Sequence, residues 1–128
     1  MQLSELREPI IVTDSELDGS TFSGIRAEGI CFEDAKMTGA RFDHADLANA
    51  IFAQVRLKGA RFTQADMSLV VVDGVTLAGA TIRNVSLTGA TIQGADLSGL
   101  AIDDCEITGL TVNGYLVSDL IATYRKSV

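Results

Sequence analysis

Residues 40–54 read ARFDH-ADLAN-AIFAQ, three blocks of five residues that each begin with Ala and carry a large apolar residue third. The same order returns in ATIQG-ADLSG at residues 90–99. Between residues 15 and 114 the third position is large and apolar in every block except the one with Ala27. A short fixed period outweighs any local helix or strand pattern, because each repeat is one unit of a stacked structure. We therefore predict a solenoid of five-residue repeats.

The five positions divide into two that point inward and three that point outward. The first position is small or medium-sized, mostly Ala, and neither it nor the third is charged between residues 15 and 114. Residues two apart in an extended segment face the same side, so these two positions line an interior and the second faces solvent. The fourth and fifth positions form a corner, and all 12 glycines stand at the fifth, where a type II turn needs a positive φ.

The quoted blocks resemble the A(D/N)LXX motif of the pentapeptide repeat family, and the resemblance spans residues 15–114. It implies the family's fold, an all-β, right-handed, quadrilateral parallel β-helix with four repeats, or about 20 residues, per coil. About five coils then stack at about 4.8 Å. Phe22, Phe42 and Phe62 are expected to form one aromatic ladder inside the rod.

The chain is expected to be a single domain whose ends protect the rod. Residues 1–14, with Pro9 and an apolar run after it, are interpreted as a lead-in with a partial capping strand, and residues 15–114 as the β-helix. In residues 115–128 the period of five is lost and apolar side chains take up helical spacing, with Asp119 early and Arg125 late, as the helix dipole favours. This pattern predicts an amphipathic capping helix laid over the last coil.

An alternative for this end is contact with another chain, because in some members of the family the C-terminal end forms a dimer interface. The residues that would carry such an association are Leu116, Leu120, Ile121 and Tyr124.

Function is expected on the outer surface, where two further candidate patches stand out. Residues about 20 apart share a side of the rod, so one side collects outward apolar residues and is a candidate for self-association or partner contact. Its residues are Cys31, Ile51, Val71, Leu69 and Ala53. A candidate basic patch for an anion or acidic partner consists of Lys36, Arg41, Arg56, Lys58 and Arg61. A mixed solvated surface, with Asp43, Asp46 and Asp66 balancing these cations, is the alternative.

Charge limits the classes of partner. The net charge of −7 and pI near 4.5 disfavour direct nucleic-acid binding. The resemblance also raises DNA mimicry, because some family members protect type II topoisomerases by presenting a DNA-like negative rod. The acidic residues Glu28, Asp46, Asp66 and Glu106 would serve it, but the interruption at Ser86 and the basic patch count against it.

No residue pattern indicates an enzyme, a cofactor or a metal site. Catalysis needs a reactive group in a pocket with a second group oriented toward it, whereas His44 and the cluster of Asp103, Asp104 and Glu106 fall at convex corners. Cys31 and Cys105 lie coils apart and are expected to be free thiols. The start MQLSELREPI lacks the pattern of a signal peptide and no apolar run is long enough for a membrane span, which predicts a cytoplasmic protein. We expect a non-catalytic interaction or scaffold module, with a homodimer left open.

Overall fold

The computed structural model describes residues 10–127, which form a β-helix followed by one helix. The strands β1 to β11 pair in parallel with strands one coil away, and the last strand, β12, is antiparallel to β11. Their bounds are β1 Ile11–Thr13, β2 Thr21–Ser23, β3 Cys31–Glu33, β4 Arg41–Asp43, β5 Ile51–Ala53, β6 Arg61–Thr63, β7 Val71–Asp73, β8 Thr81–Arg83, β9 Thr91–Gln93, β10 Ala101–Asp103, β11 Thr111–Val112 and β12 Tyr115–Leu116. The helix α1 spans Val117–Ser127. No helix within residues 10–127 is long and apolar enough to cross a membrane.

Each coil closes after 20 residues, which confirms the predicted four-sided parallel β-helix of about five coils. Phe22 pairs with Phe42 and Phe42 with Phe62 across adjacent parallel strands. The odd-numbered strands and β12 form one sheet of seven strands, and β2, β4, β6, β8 and β10 form the opposite sheet of five. Single parallel bridges, such as Lys36 with Arg56, build the two sides between the sheets.

The four sides are named here by the outward residues at their centres. The first wall carries Ile11, Cys31, Ile51, Val71, Thr91 and Thr111, and the second wall carries Glu16, Lys36, Arg56, Thr76 and Asp96. The third wall carries Thr21, Arg41, Arg61, Thr81 and Ala101, and the fourth wall carries Arg26, Asp46, Asp66, Ser86 and Glu106.

Every corner residue at the fifth position has a positive φ, as the glycine pattern predicted, but the corners are of two kinds. Corners that follow the second and fourth walls are closed by a backbone hydrogen bond; for example, the Ala40 N–H donates to the Met37 carbonyl at 3.0 Å. Corners after the first and third walls lack this bond in the described part of the chain. Gly occupies the fifth position of every closed corner except at Asn49 and Leu69. A residue with a Cβ is strained at the positive φ of these corners, which favours Gly.

The interior is a column of apolar side chains whose aromatic part is larger than the predicted single ladder. Phe22, Phe42 and Phe62 stack with ring centroids 4.7 and 4.8 Å apart, which confirms that ladder. Phe32 and Phe52 form a second stack at 5.2 Å and meet the first edge-on at 6.1–6.3 Å. Both stacks are fully buried, and so they fix the register of the first three coils.

The regular rod begins earlier than residue 15. The strand Ile11–Thr13 pairs in full with β3, and Asp14 already has the corner's positive φ. Val12 supplies the inward apolar side chain that this coil needs. Ser15 occupies the first position of the next repeat, where a small residue is sufficient. The remainder of the predicted lead-in, including Pro9, lies outside the described residues.

The C-terminal helix starts at Val117, after the short antiparallel strand β12, rather than at residue 115. Its Val117 N–H donates to the Leu110 carbonyl at 3.0 Å, and the Val117 side chain packs against the core. Leu120 remains 52% exposed and Ile121 39% exposed. Val117 and Ile121 thus lie toward the last coil, as expected for a capping helix, whereas Leu120 at the flank of the same apolar side stays exposed.

Candidate functional site

The first wall carries a continuous apolar stripe on its outer surface. Cys31, Ile51 and Val71 occupy directly paired positions of adjacent strands, as the spacing predicted. Ile51 is 40% exposed and Val71 37% exposed, and Ala53 lies at the edge of the stripe as a half-buried residue. Ile11, 64% exposed and paired with Cys31, extends the stripe by one coil. The sequence pattern already contained this signal, because residue 11 is 20 positions before Cys31.

Leu69 adds to this stripe from the preceding corner. It is 56% exposed and has φ of +61°, a conformation that L-residues with a large side chain rarely adopt. The corresponding corner one coil later is Gly89, and a Cβ on Gly89 would lie 2.8 Å from Leu69 Cδ2. Leu69 thus leans along the wall toward the next coil. We call the set Cys31, Ile51, Ala53, Leu69 and Val71 the apolar patch.

The charges around the apolar patch have one sign. The outward positions of the first wall and of its two flanking corners include no Lys or Arg in the described residues, and their acids are Asp14, Glu28, Glu33, Asp34 and Asp73. Asp73 accepts a hydrogen bond from Gln93 Nε2 at 3.3 Å on the neighbouring coil. The patch is therefore an apolar centre with an acidic rim, which attracts a cationic surface.

The basic patch lies around the corner between the second and third walls. Lys36 pairs directly with Arg56, and Arg41 with Arg61, so like charges stack on adjacent coils. Lys36 Nζ lies 3.9 Å from a Glu16 oxygen, and Arg41 Nη2 lies 3.8 Å from an Asp43 oxygen.

Arg56, Lys58 and Arg61 have no carboxylate within salt-bridge distance among residues 10–127. Of the three acids expected to balance the patch, only Asp43 does so. Asp46 and Asp66 are outward residues of the fourth wall, on the far side of the rod from Arg56.

The acidic residues of the fourth wall brace their own corners. Asp66 Oδ1 accepts hydrogen bonds from the Ser68 N–H at 3.0 Å and the Ser68 hydroxyl at 2.6 Å. The same arrangement joins Glu106 to the Thr108 amide and hydroxyl, and these bonds hold the pKa of Glu106 below its usual range. Arg26 stands at the head of this column, above Asp46. The column is thus shorter than the sequence suggested, and its acids have a local structural role.

The C-terminal end of the rod is open. Ile102, an inward position in every earlier coil, is 37% exposed, because no further coil lies beneath it. It lines a cleft with Cys105, Ile107, Val117 and Ile121 between the last coil and α1. Near the end of the helix Tyr124 is 67% exposed, and Leu116, in the strand just before the helix, is 37% exposed. All four residues predicted for C-terminal association are therefore accessible.

The groups considered for chemistry are scattered over convex surfaces. His44 is exposed at a corner with φ of +52°. Burial raises the pKa of both Cys31 and Cys105, which lowers the thiolate fraction that makes a cysteine reactive. The two thiols are free, and within residues 10–127 no group of three His, Cys, Asp or Glu residues could hold a metal ion.

Solved structures with related folds come from several organisms. A pentapeptide repeat protein from the Arabidopsis thaliana thylakoid lumen is 27% identical, with 88% of this chain and 75% of that chain covered and a TM-score of 0.39. QnrB1, a plasmid-mediated fluoroquinolone resistance protein, in a trypsin-treated form, is 15% identical over 91% and 96% of the two chains, with a TM-score of 0.43. HetL, involved in heterocyst differentiation regulation in Nostoc sp. strain PCC 7120, is 15% identical over 90% and 92%, with a TM-score of 0.40. No curated protein sequence matches the chain.

A family model for pentapeptide repeats matches residues 30–68, 65–100 and 73–109. These segments overlap and together span well over half of the chain. They coincide with the coils whose corners and apolar columns are described above, and the chain therefore belongs to the pentapeptide repeat family.

Proposed function

We propose that this protein is a non-catalytic protein-interaction module that binds through the apolar patch of its first wall. The observation that carries the proposal is the exposed side chain of Leu69, held at positive φ at the corner that precedes Val71. Ile and Val suit strands even when exposed, so they alone are weak evidence. Leu69 has no such explanation, because at a closed corner it combines backbone strain with apolar exposure, and a partner that covers it offsets both.

A second contact of the same module is its C-terminal end. Ile102, Leu120 and Ile121 together present apolar surface that the described residues leave exposed. The edge of β10 is also open, since within residues 10–127 it pairs only with β8. Exposed core and an unpaired strand edge favour association, so the proposal includes a homodimer or a higher assembly. The cytoplasm is the proposed location, in keeping with two cysteines that form no disulfide.

DNA mimicry receives less support from the charges. A mimic needs an uninterrupted negative surface, whereas Arg26 heads the acidic column and the basic patch occupies the middle of the rod. The fourth-wall acids are also engaged with their own corners, as in the hydrogen bonds of Asp66 to Ser68.

The proposal is tested by capture from an extract of the source cells with three immobilised baits. The baits are the wild type, Ile51→Lys/Val71→Lys, and Thr21→Lys/Gln64→Lys, which adds the same charge at exposed positions away from the first wall. We expect a bound protein, or a tagged second copy, that the wild type and the Thr21/Gln64 variant retain and the Ile51/Val71 variant loses. Identical retention by all three folded baits would refute binding through the apolar patch.

A further inference from the structure

The basic patch concentrates positive charge on an otherwise acidic protein. It holds half of the ten Lys and Arg residues of the chain, and all five of its side chains are exposed. We infer that the basic patch binds an acidic segment of a partner protein, a flexible stretch of chain rich in Asp and Glu. This contact is independent of the apolar patch, because it lies on the second and third walls rather than on the first.

One coil of the rod presents cations without acids. Residues 55–64 form the second and third walls of this coil, and they include Arg56, Lys58 and Arg61 but no Asp or Glu. Residues 75–84, on the same walls one coil later, include no Asp or Glu either. Within residues 10–127 no carboxylate lies within salt-bridge distance of the three cations. Their mutual repulsion is therefore left for an anionic partner to offset.

The acids around the basic patch mark its boundary. They belong to the two earlier coils and are Glu16, Asp18, Asp34 and Asp43. Glu16 lies 3.9 Å from Lys36, and Asp43 lies 3.8 Å from Arg41, so these two cations are partly neutralised. An anionic segment is consequently centred on Arg56, Lys58 and Arg61, with Lys36 and Arg41 at its edge.

The net charge of −7 does not prevent this contact. At physiological ionic strength, interactions between exposed charges are largely screened beyond about 8 Å. Glu16 is two coil steps from Arg56, or about 10 Å at about 4.8 Å per step, and the acids of the fourth wall lie on the opposite side of the rod. The nearby cations therefore dominate the field at the centre of the basic patch.

The shape of the basic patch favours a flexible ligand. Arg56 faces outward from the second wall and Arg61 from the third, with Lys58 and the bare corner of Gly59 between them. A flat membrane or a rigid DNA duplex cannot follow both sides of such a convex corner, whereas an extended chain can. Five residues separate Arg56 from Arg61, which is at most about 17 Å of backbone. An extended acidic segment of about six residues covers this distance.

The side chains around the corner favour carboxylates over bases. A flexible single strand of nucleic acid is typically held by aromatic side chains that stack on its bases. Within residues 10–127 the second and third walls present no outward Phe, Tyr or Trp, and the exposed Tyr115 and Tyr124 lie at the C-terminal end. Arg56 and Arg61 instead offer guanidinium groups, which bind carboxylates through paired hydrogen bonds.

Two variants with the same net charge test the basic patch. The patch variant is Arg56→Gln/Lys58→Gln/Arg61→Gln. The control variant is Arg26→Gln/Arg125→Gln/Lys126→Gln, which removes three cations from the fourth wall and from α1. Each has a net charge of −10, three below the −7 of the wild type. Far-UV circular dichroism checks that both variants keep the wild-type fold.

The measurement is the fluorescence anisotropy of a labelled oligoglutamate peptide, at low and at physiological ionic strength. We expect the wild type and the control variant to bind with affinities within about twofold, because the control cations lie more than a screening length from the basic patch. The patch variant should bind about threefold to a hundredfold more weakly, since each exposed ion pair changes an affinity by about 1.4-fold to fivefold. Binding should weaken as the ionic strength rises.

Equal losses in the two variants would assign the binding to overall charge and overturn the inference. Absence of peptide binding by the wild type at low ionic strength would also overturn it. An oligothymidylate strand, a DNA duplex and phosphatidylserine vesicles are compared with the peptide on the wild type. Patch-dependent binding of any of these, as tight as that of the peptide or tighter, would refute an acidic protein segment as the preferred ligand.

Discussion

Replacing Phe42 with Leu is predicted to cost more stability than the same change at Phe62, although both rings are buried in the middle of the rod. Phe42 stacks on Phe22 and Phe62 at 4.7 and 4.8 Å and meets Phe32 and Phe52 edge-on at 6.3 and 6.2 Å. Phe62 keeps only the stack on Phe42 and the edge contact with Phe52. An aromatic pair contributes about 0.5–1.5 kcal/mol beyond the area it buries, so the two additional pairs of Phe42 make a difference of about 1–3 kcal/mol.

Urea unfolding followed by far-UV circular dichroism measures this difference. Both substitutions replace a buried Phe with Leu, so the buried apolar area that each loses is about the same and cancels in the comparison. With a urea dependence of about 2 kcal/mol per molar, the midpoint for Phe42→Leu should lie about 0.5–1.5 M below that for Phe62→Leu. Coincident midpoints, or a lower midpoint for Phe62→Leu, would show that the additional stack on Phe22 and the additional edge contact with Phe32 add nothing to stability.

Three substitutions and one labelling experiment test the corners, a carboxylate and a thiol. Gly39→Val places a β-branched residue at φ +73° with no atom within 4 Å of its Cβ, so it should cost about 1–2 kcal/mol from backbone strain alone and lower the melting temperature. Leu69→Gly, at φ +61°, should leave the melting temperature unchanged or raise it. The lowered pKa of Glu106 means that its bond to Thr108 adds stability above the usual pKa of 4.5, and that this stability is lost as pH falls through the lowered value. The melting advantage of the wild type over Thr108→Val should therefore be present at pH 7 and disappear in acid. Cys31, whose pKa burial raises above 9.0, should react with a thiol reagent at pH 8 more slowly than free cysteine does.

The structure of the coil could be predicted from the sequence, because it depends on only two of the five positions in each repeat. A large residue at the third position and a small one at the first fix which side chains turn inward, and the 20-residue spacing then sets Phe22 on Phe42. The period could not distinguish closed from open corners, because both need a positive φ. That difference depends on whether the wall before the corner is paired as a strand or by a single bridge, as for Met37 and Ala40.

The candidate surfaces were predictable where they follow the period and not where they depart from it. Ile51 and Val71 share a wall because their numbers differ by 20. The accessibility of Leu120 did not follow from its helical spacing, because amphipathic spacing identifies an apolar side but not the direction in which the helix leaves β12. The expected charge balance between Asp46 and the cations of the second wall was also not found. These residues are close in sequence but lie on opposite walls of the rod.

At position 69 folding and binding favour different residues. Among the described residues it is the only apolar side chain at the fifth position of a repeat; every other such position is Gly or polar. Folding alone favours Gly there, because Leu adds strain at φ +61° and buries little of itself in the rod. A stabilising effect of Leu at this site must therefore come from outside the chain. Leu69→Gly should keep or increase the melting temperature of the isolated protein while it weakens assembly, and a variant that lost both together would instead assign Leu69 to the fold.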